Sequence, residues 1–172
     1  LVARAAELLL LVAAFILVDL HETWSISQIL SVYPRSLTTL ETVAACLIAA
    51  AALIKCAQIP AHGWLLQVVE APTPVSALLH AGIVNMGGYL LILCGALVTS
   101  ALSAQLLVIT VAGLTLVIAS GKMQRESTVK VKLAWSTCSQ MALMLIEAAL
   151  GFYELALLHL FAHSLYKAHQ FL

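Results

Sequence analysis

Five ionisable side chains lie in stretches of this chain that are otherwise apolar: Lys55, His80, His159, His163 and Lys167. A charge at the centre of a lipid bilayer costs at least about 2.5–3.5 kcal/mol on insertion scales, so an ionisable side chain placed there usually has a function. Lysine and histidine can both gain and lose protons, and histidine does so near neutral pH. Such groups along the interior of a membrane protein suggest a path for protons.

Three of these residues, His159, His163 and Lys167, are spaced four positions apart, so on one helix they share a face. We call them the polar stripe. Two histidines at this spacing can also bind a metal ion. The zinc-protease pattern H-E-x-x-H is absent, since Leu160 follows His159, and the cation at the next position would repel a metal. A proton relay is therefore favoured over a metal site or structural packing, while His169 lies off the stripe and stays ambiguous.

Lys55 lies five residues before Pro60 in a largely apolar segment. Proline removes a backbone donor and interrupts a helix, and a broken helix at membrane depth exposes polar backbone that protein or water must cover. A lysine beside such a break favours an ion site, with snorkelling to the interface as the alternative. His80 is favoured as a relay on a neighbouring helix; the alternative is a buried histidine hydrogen-bonded to a carbonyl.

The composition indicates an integral membrane protein. The 172 residues are 63% hydrophobic and only 9% charged, whereas a soluble domain is about half apolar and a quarter charged. The net charge of +0 gives no argument for nucleic-acid binding. The four cysteines are scattered through apolar runs without C-x-x-C spacing, which predicts small buried side chains rather than disulfides or metal ligands.

The pattern of apolar runs predicts an all-α, polytopic transmembrane helix bundle. A spanning helix needs about 20 apolar residues, and residues 1–172 form a single transmembrane domain with about six spans: 2–20, 40–59, 75–98, 101–120, 133–150 and 152 to the end. The second span is interrupted at Pro60 and followed by a half-helix over 61–71. Gly87 and Gly88 are expected to allow close helix packing. Because the chain begins and ends inside apolar runs, we expect it to be a fragment of a longer membrane protein.

The charged loops predict an orientation. Residues 121–132 hold four of the eight Lys and Arg residues, and cationic loops face the cytoplasm. The region 60–74 is then also cytoplasmic, and the loop 21–39 is external.

The carboxylates give a weaker signal. Glu7, which lies within a turn of Arg4, is interpreted as an interfacial pairing group, and so are Glu70, Glu147 and Glu154. No carboxylate is predicted beside Lys55, so any carboxylate partner of that lysine would lie outside this chain.

Several segments together resemble a known superfamily. They are 55–64 (KCAQIPAHGW), 70–82 (EAPTPVSALLHAG), 130–141 (KVKLAWSTCSQM) and 159–168 (HLFAHSLYKA). They are similar to the antiporter-like proton-translocating subunits shared by respiratory complex I and Mrp antiporters. Segments 80–89 (HAGIVNMGGY) and 162–172 (AHSLYKAHQFL) most resemble the membrane subunit of the DAB-type inorganic-carbon transporter family.

The resemblance implies a multi-pass subunit of the cell inner membrane that translocates protons or another cation and energises the accumulation of CO2 as bicarbonate. In that family the membrane subunit pairs with a large cytoplasmic zinc-containing partner similar to a carbonic anhydrase. The resemblance therefore implies no cofactor or metal in this chain, with zinc expected only in the partner. Members also have a second broken helix and a conserved glutamate on an earlier helix, which this chain lacks.

Two other functions remain open. One is a proton-pumping subunit of an NADH:quinone oxidoreductase or an Mrp antiporter, in which any redox chemistry would lie in other subunits. The other is a non-conducting structural subunit that retains the polar residues. In each case the chain is expected to be a transporter or complex subunit rather than an enzyme by itself.

Overall fold

The computed structural model describes residues 2–171 and the side chains of residues 2–170, so Leu1 and Leu172 at the ends of the first and last predicted spans lie outside it. Within this range the chain forms α-helices and short 3-10 turns, with no strand. The helices are α1 (Val2–His21), α2 (Ile26–Ser31), α3 (Thr39–Lys55), α4 (Gly63–Gln67), α5 (Thr73–Ala81), α6 (Met86–Leu93), α7 (Gly95–Ser100), α8 (Leu102–Arg125), α9 (Val129–Ala149) and α10 (Tyr153–Phe171). The all-α prediction is confirmed.

The second predicted span is shorter than expected. Helix α3 ends at Lys55, four residues before the predicted end of the span, and the chain continues without helix until Gly63. Proline is incompatible with the α-region at the residue before it as well as with the helix at its own position, so the interruption begins ahead of Pro60. The predicted half-helix over 61–71 is present as α4 followed by a 3-10 turn over Val68–Glu70.

The third predicted span is not one regular helix. Helices α5 and α6 are separated by a 3-10 turn at Ile83–Asn85, immediately after Gly82. The carbonyl groups in the last turn of α5 have no partners within that helix, which leaves them available to side chains from neighbouring helices. His80 lies in this last turn.

Helix α3 lies at the centre of the bundle, against α1, α6 and α8, while α9 packs against α8, α10 and α6. Small residues permit the close approach: a methyl group on Gly87 would lie 2.5 Å from the Ala52 carbonyl oxygen, and one on Gly88 would collide with the Met144 side chain. The expectation that the glycine pair allows close packing is confirmed.

Large apolar side chains cover much of the outside of the bundle, and several ionisable side chains are buried within its largely apolar core. His80 and Lys167 are both 0% exposed, whereas Leu165 is 73% and Val117 is 72% exposed. Two stretches of the described chain, Thr73–Leu93 and Leu102–Arg125, are long and apolar enough to cross a membrane by length and composition. The other spans carry more polar side chains, and the fold turns many of these toward the interior. This distribution is expected of a protein whose solvent is lipid.

The burial of the cysteines and the pairing of Glu7 agree with the predictions from the sequence. Cys56, Cys94 and Cys138 are buried free thiols, as predicted from the apolar runs, and Cys46 is partly buried. Glu7 forms an exposed ion pair with Arg4 at 3.2 Å, and that expected pairing is confirmed.

Candidate functional site

One face of α9 supplies the partners of the buried ionisable residues. The polar groups on this face are separated by three, four or seven residues or are adjacent, so they line up along the helix. They are the carbonyl oxygen of Leu133 and the side chains of Ser136, Thr137, Gln140 and Glu147.

His80 and Lys167 are connected through this face. His80 Nδ1 lies 3.1 Å from Thr137 Oγ1, and the Thr137 hydroxyl donates to the Leu133 carbonyl oxygen at 3.0 Å. Because the hydroxyl proton points to the carbonyl oxygen, Thr137 Oγ1 accepts a hydrogen bond from His80 Nδ1–H. Lys167 Nζ donates to the same Leu133 oxygen at 3.2 Å. Two ionisable side chains from different helices therefore share one hydrogen-bonded network.

Lys167 is fully buried, and oxygens surround its ammonium group. Besides the Leu133 carbonyl, Nζ donates to Ser136 Oγ at 3.0 Å and to Gln170 Oε1 at 3.4 Å, and it lies 5.8 Å from the centre of the Tyr166 ring. A buried cation is very costly unless it is paired or hydrogen-bonded. Neutral oxygens and an aromatic ring stabilise this one, and the described residues place no carboxylate within ion-pair distance of it.

His163 contacts the histidine helix directly. The side chain is 5% exposed, and its Nε2 lies 3.3 Å from the carbonyl oxygen of His80. Because a carbonyl only accepts hydrogen bonds, Nε2 must carry the proton that is donated. The bond joins α10 to the last turn of α5, where carbonyl groups lack helical partners.

His159, the first residue of the polar stripe, faces a different set of groups. Its Nδ1 lies 3.0 Å from Glu147 Oε2 and its Nε2 lies 3.0 Å from Gln140 Oε1. Glu147 is thus the hydrogen-bond partner of a stripe residue rather than only an interfacial carboxylate. Glu70, Glu154 and the ambiguous His169 are exposed.

Both histidines of the stripe are held by protein oxygens on other helices. No hydrogen bond between the described side chains joins His159 to His163. A metal site at this pair would require both rings to leave those oxygens, and no group of three or more His, Cys, Asp or Glu within the described residues is arranged to hold a metal ion.

Lys55 lies apart from this network. It is the last residue of α3 and lines a cavity of about 550 Å³ together with Pro60, Trp64 and Gln67. Among the described residues it forms no ion pair or hydrogen bond. The structure therefore places this lysine beside the helix break, as the sequence suggests, and facing an open volume.

The polar backbone of the break is covered from two neighbouring helices. The Gln58 side chain, 1% exposed, donates through Nε2 to the carbonyl oxygens of Cys56 at 2.8 Å and Cys138 at 3.4 Å. The backbone N–H of Ile59 donates to Thr115 Oγ1 at 3.1 Å. These bonds satisfy the requirement that irregular backbone at membrane depth be buried in protein.

A buried carboxylate at the other end of α3 escapes sequence reasoning. Glu41 is 1% exposed and accepts hydrogen bonds from the Thr38 backbone N–H and hydroxyl and from Tyr33 Oη, the last at 2.7 Å. Arg35 forms an ion pair with it, and His21 Nε2 lies 3.3 Å away. We call these five residues the Glu41 cluster. Burial, together with the hydrogen bond to Glu41, raises the pKa of the Tyr33 phenol well above its ordinary value.

One sequence signal could have pointed to the missed groups. Ser136, Thr137, Gln140 and Glu147 recur at helical spacing in an otherwise apolar segment, which is the pattern of a polar face turned to the bundle interior. Glu41 lies three residues after Thr38, which is the spacing of a capping box, and the structure contains that box. Its additional contacts with His21, Tyr33 and Arg35 have no such signal.

A comparison with known families matches the whole chain. The family described as "NADH:quinone oxidoreductase/Mrp antiporter, TM" covers residues 1–172. The chain belongs to this family.

Individual relatives agree with this assignment. The chain is 59% identical over 172 residues to the probable inorganic carbon transporter subunit DabB of Hydrogenovibrio crunogenus, covering 99% of this chain and 33% of that protein. It is 46% identical over 173 residues to the probable inorganic carbon transporter subunit DabB2 of Halothiobacillus neapolitanus, covering 99% of this chain and 31% of that protein. This member of the antiporter family thus spans about a third of the length of these curated relatives.

A solved structure has the same fold. The Mrp complex from Dietzia sp. DQ12-45-1b superimposes with a TM-score of 0.90 at 34% identity, over 99% of this chain and 19% of the matched chain. The antiporter-like family assignment made from the sequence motifs is confirmed, and the chain is a transmembrane helix bundle of that family.

Proposed function

We propose that this chain is the central part of a proton-translocating membrane subunit of an inorganic-carbon accumulating transporter. The observation that carries the proposal is the buried network on α9, in which Thr137 and the Leu133 carbonyl connect His80 to Lys167. Identity of 59% and 46% to proteins named as probable inorganic carbon transporter subunits supports the transported chemistry.

The network favours proton movement over ion binding. Its members are imidazole, hydroxyl and ammonium groups, which exchange protons, and a hydrated cation would need several oxygens converging on one point. The Thr137 hydroxyl accepts a hydrogen bond from His80 and points its own proton at the Leu133 carbonyl oxygen. Lys167 can take up a proton only after its ammonium group has released one. The Leu133 carbonyl can only accept, so transfer onward to Lys167 requires a water molecule or a swing of the lysine side chain.

The same reasoning applies to His163. Its bond to the His80 carbonyl holds the ring in place but passes no proton. Between His159 and His163 the helical rise is about 6 Å, longer than a direct hydrogen bond, so waters must bridge this gap as well. The described contacts thus set the positions of the ionisable groups, and water completes the connections between them.

Lys55 supplies an ionisable position of the proposed path that is separate from the network on α9. It lies at the break of α3 and faces a cavity of about 550 Å³, large enough for several waters. We propose that this cavity is where the path reaches the cytoplasmic side, in keeping with the orientation predicted from the loop charges.

The whole protein is proposed to act in the cell inner membrane with lipid around its apolar surface and with a large cytoplasmic zinc-containing partner subunit. In this proposal the partner carries out CO2 hydration and the membrane subunit supplies the driving force. The zinc belongs to the partner, and no cofactor is assigned to this chain. A role within an Mrp-type antiporter is the second candidate, favoured by the TM-score of 0.90 to the Mrp complex.

The test compares single and double substitutions in the polar stripe of the full-length protein, co-expressed with its partner. If His159, His163 and Lys167 act as one relay, each single alanine variant loses most gradient-driven uptake of labelled inorganic carbon, and the His159/Lys167 double variant loses little more. Losses that simply add would indicate independent packing contributions. If the wild-type protein takes up no inorganic carbon but exchanges H⁺ for Na⁺, and the stripe variants lose this exchange, the antiporter would be favoured instead.

A further inference from the structure

Asn85 connects the two helices that carry His80 and His163. Its side chain does not ionise, so the sequence does not mark it as a proton-carrying residue. It lies in the 3-10 turn that follows Gly82 and is 5% exposed. Its Nδ2 donates to the carbonyl oxygen of Ala81 at 2.8 Å and to Ser164 Oγ at 2.7 Å. Both donor hydrogens of the carboxamide are therefore used.

The two acceptors are the chain neighbours of the two histidines. Ala81 directly follows His80, and Ser164 directly follows His163. The Ser164 hydroxyl in turn donates to the Leu160 carbonyl oxygen of its own helix at 2.8 Å, so its lone pairs are presented to Asn85. A hydrogen-bonded chain thus runs from the end of α5 through Asn85 into α10.

This chain lies beside the bond between His163 Nε2 and the His80 carbonyl oxygen, which measures 3.3 Å. The acceptor of the His163 bond is the carbonyl of His80 in the last turn of α5. Asn85 Nδ2 donates to the next carbonyl in the chain, that of Ala81. Rotation of α10 about its axis, or sliding of α10 along α5, would break the Asn85–Ser164 bond and carry His163 away from His80.

We propose that Asn85 is a positioning residue that joins the residues following His80 and His163 and so holds the His163 ring against the His80 carbonyl. Its Nδ2 hydrogen bonds go to Ala81 and Ser164 rather than to the histidine rings, and a carboxamide passes no proton itself. Its role is to fix the distance and rotation between α5 and α10, which the irregular turn after Gly82 would otherwise leave adjustable. The consequence for transport rests on the function proposed above, whereas the consequence for the His163 ring does not.

The test uses the full-length protein in its complex, with histidine labelled with ¹⁵N and the His163 signal assigned from a His163→Gln sample. Donation by Nε2 gives the ring a defined pattern of nitrogen shifts. Asn85→Leu, which keeps the approximate volume but removes both donors, is expected to shift or broaden this pattern. It is also expected to lower gradient-driven uptake about three- to tenfold at matched protein amount, the scale of the single hydrogen bond to Ser164 that joins the two helices.

Ser164→Ala removes only the acceptor and gives a second, smaller perturbation if Asn85→Leu fails to fold. Ser164→Thr keeps the hydroxyl and is expected to retain both the His163 signal and the uptake. Ser76→Ala is the matched control, since Ser76 is a fully buried hydroxyl on α5 that donates to the Ala71 carbonyl oxygen at 3.1 Å. It should leave the His163 signal unchanged.

An unchanged His163 signal in folded Asn85→Leu and Ser164→Ala proteins would overturn the proposal. So would an equal change in the Ser76→Ala control. A changed His163 signal with wild-type uptake would leave the positioning assignment in place and instead refute the part of the proposed function that sends protons through His163.

Discussion

Removing the Thr137 hydroxyl tests the buried network most directly, because this group lies between His80 and the carbonyl oxygen that binds Lys167. In Thr137→Val the side chain keeps its shape, but His80 Nδ1 loses the oxygen that lies 3.1 Å away. The Leu133 carbonyl loses one of its two side-chain donors and retains Lys167 Nζ. The substitution therefore separates His80 from Lys167 without removing either one.

The magnitude follows from leaving a buried donor unsatisfied. That costs about 1–3 kcal/mol, and Thr137 is fully buried, so no bulk water replaces the lost acceptor. If the cost enters the barrier for proton transfer, the transport rate falls by about 5- to 150-fold. Thr137→Ser keeps the hydroxyl and should retain most of the rate, at a small cost for the lost methyl group.

The assay is gradient-driven uptake in vesicles at matched protein amount, combined with thermal unfolding of the purified complex. Ser139→Ala is the control: this 5% exposed hydroxyl on the same helix donates to the Ser136 carbonyl oxygen and, within residues 2–170, hydrogen-bonds to no ionisable side chain. Wild-type transport by Thr137→Val would refute the reasoning. An equal loss in Ser139→Ala would show that any change in this part of α9 lowers transport. The loss in Thr137→Val could then not be assigned to the network.

Three further predictions concern other parts of the chain. Lys55→Ala is expected to abolish coupled transport while the protein still inserts, because it removes a charge that the described residues leave unpaired; wild-type growth of the variant on ambient CO2 would contradict this. Cysteines placed at residues 121–132, around the turn between α8 and α9, should be labelled only from the cytoplasmic side, and cysteines in the segment 21–39 only from outside; the reverse pattern would invert the orientation. Glu41→Gln should lower the free energy of unfolding by about 1–3 kcal/mol and Tyr33→Phe by about 1 kcal/mol, since the former weakens several charge-assisted hydrogen bonds and the latter removes one; thermal unfolding of both variants in detergent measures the difference, and equal stabilities would argue against the cluster as an anchor.

The sequence predicts the helical class and the shared face of the polar stripe, because both depend on local periodicity. It does not predict that the stripe divides. Successive positions four residues apart drift by about 40° around a helix, so His159 turns toward the end of α9 while Lys167 turns fully inward. The drift is computable, but the neighbour that each side chain meets depends on how α9 and α10 pack.

Partners were harder to predict than ionisable residues for a physical reason. A lysine or histidine in an apolar run is conspicuous because of its insertion cost. Its partners here are hydroxyls and backbone carbonyls, such as Thr137 and the Leu133 oxygen, which occur in every helix and cost little alone. Asn85 shows the same limitation, since its importance comes from a turn whose existence after Gly82 is not evident from the sequence.

The Glu41 cluster has a mechanical consequence for the bundle. At the same end, the Gln105 side chain donates to the Ala149 carbonyl oxygen at 2.8 Å, and Thr99 Oγ1 lies 3.1 Å from Tyr153 Oη. These bonds tie the helix ends together there, whereas the opposite half contains the unwound segment after Lys55. One end of the bundle therefore serves as an anchor and the other as a compliant region. We expect any rearrangement that accompanies the proposed transport to be concentrated in the half whose backbone is already irregular.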